Sequence, residues 1–350
     1  MQRVDYLLIG QGLSGSMLAV TLLQKGRSVA VIDQPQLSSS SRVAAGAYNP
    51  FNFRRMTDNW RAGELVDFVN RFYPEAESFL GSEEFFHPRR VLKVFAAESE
   101  RQQWEKACAA QPQRFASPEV LENYYADILD TPFGIGVVKE AGHIDTVKFI
   151  SDVSAKFEQQ QSLFRETFDP SKLSLSGEGA VYDNRIAATT VIFCEGHLAR
   201  KDHWFGFLPL RPVKGQVLHV HIPGFDAKDI FNRGAYLVPM GNEGFATGAT
   251  FENDRDDETI TPNAEEELLG KLTKYIRVPI HVEKRFAGVR PAVKDRRPLL
   301  GRHPEHPQLC VFNGMGSKAV LLAPFLADQL VQHLEEKIPL LPEVDIARFA

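Results

Sequence analysis

Gly10, Gln11, Gly12, Leu13, Ser14 and Gly15 spell GxGxxG, and an acid, Asp33, follows roughly 20 positions later. Residue types at this spacing can hold a phosphate and a ribose. The first glycine permits a tight turn, the second lets a pyrophosphate lie against bare backbone, and the third lets a helix pack close to the strand before it. Free N–H groups and the macrodipole at a helix start both attract the anion. Asp33 is placed to accept a ribose hydroxyl, and its carboxylate would repel a 2′-phosphate, which argues against NADP. The flanks agree. Val4–Ile9 reads as a strand buried near its end, the glycines open a helix running to Lys25 with Gly26 as its stop, and Ser28–Ile32 reads as a second strand closed by Asp33. Strand, glycines, helix, strand and acid in register indicate an adenine dinucleotide. The alternative is a plain strand-turn-helix that uses glycine for packing only.

The same stretch does not read as a targeting segment. Asp5 stands at its front, Gly10 to Ser16 interrupt its apolar centre, and no run of about 20 apolar residues occurs in the chain. With 350 residues, 43% of them hydrophobic, the chain suffices for one large domain or two interleaved ones. A net charge of -5 generates no field that gathers polyanions, so no nucleic-acid partner is expected. Cys108, Cys194 and Cys310 form no CxxC pair, and a reduced, cytoplasmic setting fits them best. Oligomeric state is left open, homo-oligomers included.

No metal site is expected. His219 and His221 share one face of a strand without further ligands nearby, and His303 and His306 lie in a proline turn. No nucleophile elbow, Walker lysine or HExxH occurs. Downstream of Asp33, the segment Ser38–Ala47 consists of small side chains around one guanidinium, Arg42, which would let a long cofactor lie against backbone; a surface loop explains Ser38–Ser41 equally well. Further on, 58–80 and 99–110 read as amphipathic helices, whereas 216–222 and 236–250 alternate like strands. The last segment reads as a strand at Cys310–Phe312, a glycine turn at Asn313–Ser317 and a helix from Ala319 to Leu334.

The ordered stretches GQGLSGS, VID, SRVAAGAYNP, AGHID, VIFCEG, LPLRPVKGQV, YLVPMGNEGFATGAT, AGVRPAVKDRRPLLGRHPE and NGMGSKAVLLAP cover nearly the whole chain. Together they resemble the D-amino-acid oxidase family of FAD-dependent amine oxidoreductases, nearest to its glycine oxidase and sarcosine oxidase types. The resemblance implies an α/β fold: a Rossmann-like FAD-binding domain with an inserted α+β substrate domain built on an antiparallel sheet. Residues 1–55, 143–215 and 287–350 would form the first, and 56–142 and 216–286 the second. It implies non-covalent FAD, because covalently flavinylated members use a cysteine beside the final loop and Cys310 lies too early.

The cofactor-binding set so implied is Gly10, Gly12, Leu13, Ser14, Gly15, Asp33, Arg42, Ala44, Ala45, Gly46, Gly196, Gly314, Met315, Gly316, Ser317 and Lys318. Arg290, in AGVRP, occupies the family's carboxylate-binding position, with an ion pair to Asp295 or Glu283 as the alternative. Tyr236 matches a tyrosine that reaches the same carboxylate, or else is a buried strand tyrosine. Phe251 matches a pocket-lining position, or else fills core. Lys318 would add its ammonium near the flavin or a substrate carboxylate, or else is a solvated lysine at a helix start. Asp33 replaces the usual ribose-binding Glu. Met315 and Lys318 stand where glycine oxidase types carry His and Arg, so substrate preference does not carry over. The activity implied is oxidation of the C–N bond of a small amino acid or N-alkyl amino acid by hydride transfer to flavin N5, which demands no carboxylate pair. The alternatives are a flavin-dependent enzyme acting on a modified tRNA base, and an FAD-binding protein without amine turnover.

Overall fold

The computed structural model describes residues 1–34, 39–82, 84–110, 114–177 and 179–349. β1 (Gln2–Ile9), α1 (Leu13–Gln24) and β2 (Val29–Asp33) form a unit in which β1 lies parallel between β2 and the strand Ile186–Phe193. Leu163–Arg165 extends the sheet beyond β2 and Leu309–Asn313 extends it beyond Ile186–Phe193, both also parallel. Alternate side chains of these strands serve two cores. Leu8 and Val31 pack with Met17 and Leu18 of α1 and with Phe149 and Leu326 of two further helices, Thr146–Gln159 and Ala319–Glu336. Leu7, Ile9, Ala30 and Ile32 pack on the other side with Phe193, Phe205 and Leu210. A parallel strand covered on both faces has no use for polar alternation, which is why Tyr6–Ile9 is a continuous apolar run. This is Rossmann-type α/β layering.

A second, ten-stranded sheet is antiparallel at every pairing among the described residues except that of Ile230–Asn232 with Phe86–Val94. Its longest pair, Leu210–His221 with His281–Val293, runs from Leu210 opposite Val293 to His221 opposite His281, with a register shift between His219 and Val220. The expected domain boundaries at 215/216 and 286/287 fall inside these two strands. Ala47–Tyr48 also pairs in this sheet, against Ile135–Ile144.

Several local expectations are corrected. The helix expected over 58–80 begins at Ala62, because Phe51–Asn52 and Thr57–Asp58 pair as a small hairpin ahead of it. The run 236–250 folds back at Asn242 and Glu243, both with positive φ, into strands Tyr236–Gly241 and Gly244–Gly248. Ser40–Val43 forms a single helical turn rather than loop, and Ser38 lies outside the described residues.

The turn joining β1 to α1 is fixed from three sides. Gly10 has φ of 97°, a conformation that L side chains resist. The Gln11 N–H donates to Asp33 Oδ1 at 2.8 Å, while its side chain donates to Ile150 O at 3.3 Å and accepts from Ser154 Oγ at 3.0 Å. A Cβ on Gly15 would stand 2.1 Å from Gly10 O, so the helix sits as close as a hydrogen atom allows. Gly15→Ala is expected to destabilise the protein by about 1–3 kcal/mol through overpacking. Denaturant titration reads this directly, and an unchanged midpoint would show that the close approach is not required.

Candidate active site

A cavity of about 580 Å³ begins at this turn and extends between the two sheets. Gly10, Gly12, Leu13, Ser14, Asp33, Arg42, Ala44, Ala45, Gly46 and Gly196 line one end, and Tyr236, Phe251, Arg290, Met315, Gly316, Ser317 and Lys318 line the other. Two of the expected residues are elsewhere. Gly15 is turned to Gly10 for packing, and a side chain on Gly314 would meet Val293 and Leu299 in the core.

The glycine end is shaped for an anion. Gly12 offers no side-chain cap to α1, and the Leu13 N–H donates to Ser41 Oγ at 2.9 Å. Other first-turn amides have no partner inside a helix, so the positive end of the dipole is directed at whatever fills the cavity. Arg42 adds a cation to the same wall. Asp33 accepts the Gln11 N–H with one oxygen, and its carboxylate lines the cavity.

At the opposite end, the Arg290 guanidinium lies 4.4 Å over the Phe251 ring and donates to Thr250 O at 3.3 Å and Lys214 O at 3.4 Å. Neither acid considered as a partner holds it: Asp295 pairs with Arg348 at 3.0 Å, and Glu283 forms no ion pair among the described residues. Burial lowers its pKa to about 10, which leaves it charged at neutral pH. Phe251 is 66% exposed, so it forms a lip of the cavity and not core. Tyr236 accepts from Asn49 Nδ2 at 3.1 Å, which leaves its own proton to donate. Lys318 donates to Asn59 Oδ1 at 2.9 Å, and its pKa is lowered first by burial and then by Arg297, Arg296 and Arg55. Asn59 in turn donates to Asn49 O at 2.9 Å. One asparagine pair thus spaces Tyr236 from Lys318.

His219 and His221 are accounted for by neighbours: His219 lies 4.7 Å from the Phe286 ring, and His221 is 3.5 Å from Glu243. Among the described residues no three His, Cys, Asp or Glu groups are placed to hold a metal ion, and no helix is long and apolar enough to cross a membrane.

Asn49, Asn59 and Glu195 are site residues that sequence reasoning missed. The two asparagines carry no pattern of their own, since their roles depend on residues far along the chain. Glu195 had a legible signal, an acid wedged between an apolar strand and a glycine in VIFCEG. It lines the cavity, and its Oε2 is enclosed without a hydrogen-bond partner. Burial, reinforced by Asp202, raises its pKa from the ordinary 4.5 to about 8. Because the folded state keeps this proton after the unfolded chain has released it, the stability from Glu195 is full below the ordinary 4.5 and is lost as pH rises to about 8. Glu195→Gln keeps the neutral shape and is expected to exceed wild type in thermal midpoint by a few degrees at the upper end of that window, with no difference at the lower end. Parallel melting curves across the window would show an ordinary acid.

Comparison with known proteins agrees with the geometry. The sequence model of the FAD dependent oxidoreductase family, DAO, matches residues 5–333. The tRNA 5-methylaminomethyl-2-thiouridine biosynthesis bifunctional protein MnmC of Marinobacter nauticus is 25% identical over 93% of this chain and 55% of its own length. Two further MnmC proteins are matched over 59% and 52% of theirs, so the chain spans little more than half the length of these relatives. Glycine oxidase of Bacillus licheniformis is 23% identical over 94% of this chain and 92% of its own. Among solved structures, glycine oxidase from Bacillus cereus superimposes with a TM-score of 0.80 at 19% identity, covering 96% of both chains. L-proline dehydrogenase from P. horikoshii superimposes with 0.81 at 17%, covering 99% of this chain and 98% of that one. These two likenesses concern the fold. The family match extends from the first strand to the last helix, and the chain belongs to the DAO family of FAD-dependent oxidoreductases.

Proposed function

We propose that this oxidoreductase acts on the C–N bond of a small amino acid or N-alkyl amino acid, hydride passing from Cα to flavin N5 and water hydrolysing the resulting imine. The observation that carries the proposal is Arg290: a part-buried, charged guanidinium without an acidic partner, in the same cavity as the glycine turn. A substrate carboxylate would satisfy it with two parallel bonds. Stacking on Phe251 holds the plane of the fork, and the free Tyr236 proton donates to the same carboxylate. Positioning of Cα then does most of the work, with no acid-base pair required.

The residues present fit FAD. First-turn amides of α1 and Arg42 would hold its diphosphate and Asp33 a ribose hydroxyl, and the bare backbone around Ala44, Ala45, Gly46 and Gly196 would give it room. Met315 to Lys318 lead into the helix Ala319–Glu336, whose start favours negative charge beside the flavin ring. Gly15 and Gly314 contribute through packing. Cys310 is buried on its strand and absent from the cavity wall, which supports a dissociable cofactor; acid precipitation is expected to leave the yellow colour in the supernatant.

A second reading, a flavin enzyme acting on a modified tRNA base, is favoured by the printed names of the three MnmC relatives. The net charge of -5 weighs against it. A salt-dependent tRNA shift in a gel would support it.

The test of the main reading is anaerobic mixing with D-amino acids, glycine and sarcosine, followed at the flavin band. At least one is expected to bleach the flavin, and failure of all of them would overturn the reading. Arg290→Lys, which loses the bidentate fork, is expected to raise the KM of the best substrate by about 100-fold while FAD is retained. An unchanged KM would remove Arg290 from the carboxylate site.

A further inference from the structure

Positive charge also gathers behind the Lys318 wall of the cavity. The charges that bear on Lys318 are those of Arg297, Arg296 and Arg55, all of its own sign. None of these three arginines enters an ion pair among the described residues. Asp295, adjacent to Arg296, is taken by Arg348. Arg297 is further fixed by lying 4.7 Å over the Trp60 ring. Like charges gathered without counter-charge repel one another, and in a chain of net charge -5 this patch is a local exception.

The loop bearing Lys318 is docked on the strand bearing Arg290, since the Gly316 N–H donates to Pro291 O at 3.2 Å. Arg290 and Lys318 therefore stand on adjoining walls of one cavity. We propose that the substrate is a dianion, an amino dicarboxylate whose first carboxylate sits on Arg290 and whose second is held by Lys318 and the arginines behind it. The proposal rests on the reading of Arg290 as the carboxylate site. A small molecule is favoured over a polyanion because Lys318 lines the same cavity as Arg290 and the charge outside this patch is net negative. The second carboxylate would replace repulsion by attraction at Lys318, so its affinity should fall with added salt.

The experiment titrates the holoenzyme with non-oxidisable acids, acetate and propionate against malonate, succinate and glutarate, and reads the perturbation of the flavin spectrum. One dicarboxylate is expected to bind about tenfold more tightly than acetate, with an advantage that shrinks as salt is added. In Arg296→Gln/Arg297→Gln, and separately in Arg55→Gln, the ratio of dicarboxylate to acetate affinity is expected to fall toward one. Equal affinity of mono- and dicarboxylates in the wild type overturns the proposal, as does tRNA displacing succinate at low concentration. Failure of every carboxylate, acetate included, to perturb the flavin would strike instead at the Arg290 reading on which it rests.

Discussion

The arrangement depends on how closely α1 approaches the turn before it. With hydrogen in place of a side chain at Gly15, the helix start reaches the carbonyl of Gly10, and that contact sets both the direction of the dipole and the floor of the cavity. Gln11 then transmits the position outward. Its backbone is tied to the end of β2 and its side chain to the helix Thr146–Gln159, so three elements agree on where an anion can lie. Each of these bonds adds a modest net stabilisation, and their combined effect is to leave the turn few alternatives.

The opposite end of the cavity follows a different logic. Arg290 is part-buried and Lys318 lines the cavity wall, both without acidic partners, and desolvation lowers the pKa of each. Glu195, also without a partner for its enclosed oxygen, meets the same opposition by keeping its proton and so stays neutral below about pH 8. A fold selected for stability alone would discharge such groups against neighbours, as it does for Lys214, which is fully buried yet sits 2.7 Å from Asp257. Leaving them unpaired reserves their interactions for a ligand.

The sequence was most legible where structure is local. The glycine turn, α1, β2 with Asp33, and the last strand and helix all declare themselves within short windows, because turn chemistry and apolar periodicity act over a few residues. Legibility failed where a distant partner decides. Residues 58 to 61 carry a helical pattern, but pairing of Thr57–Asp58 with Phe51–Asn52 takes the first of them. Asn49 and Asn59 acquire meaning only by meeting Tyr236 and Lys318. Arg290 could be located by its motif, whereas the absence of an acidic neighbour is a three-dimensional fact.

The hydroxyl of Tyr73 donates to Val320 O at 2.7 Å, joining the long helix Ala62–Leu80 to the first turn of Ala319–Glu336. Tyr73 is wholly enclosed, and its ring packs on Phe86 of the antiparallel sheet. The terminal helix is thus anchored by a part of the chain that was made long before it. During synthesis the earlier segments must wait, with apolar surface uncovered, until Ala319–Glu336 has been made and packs against them, so this region is completed as one cooperative event.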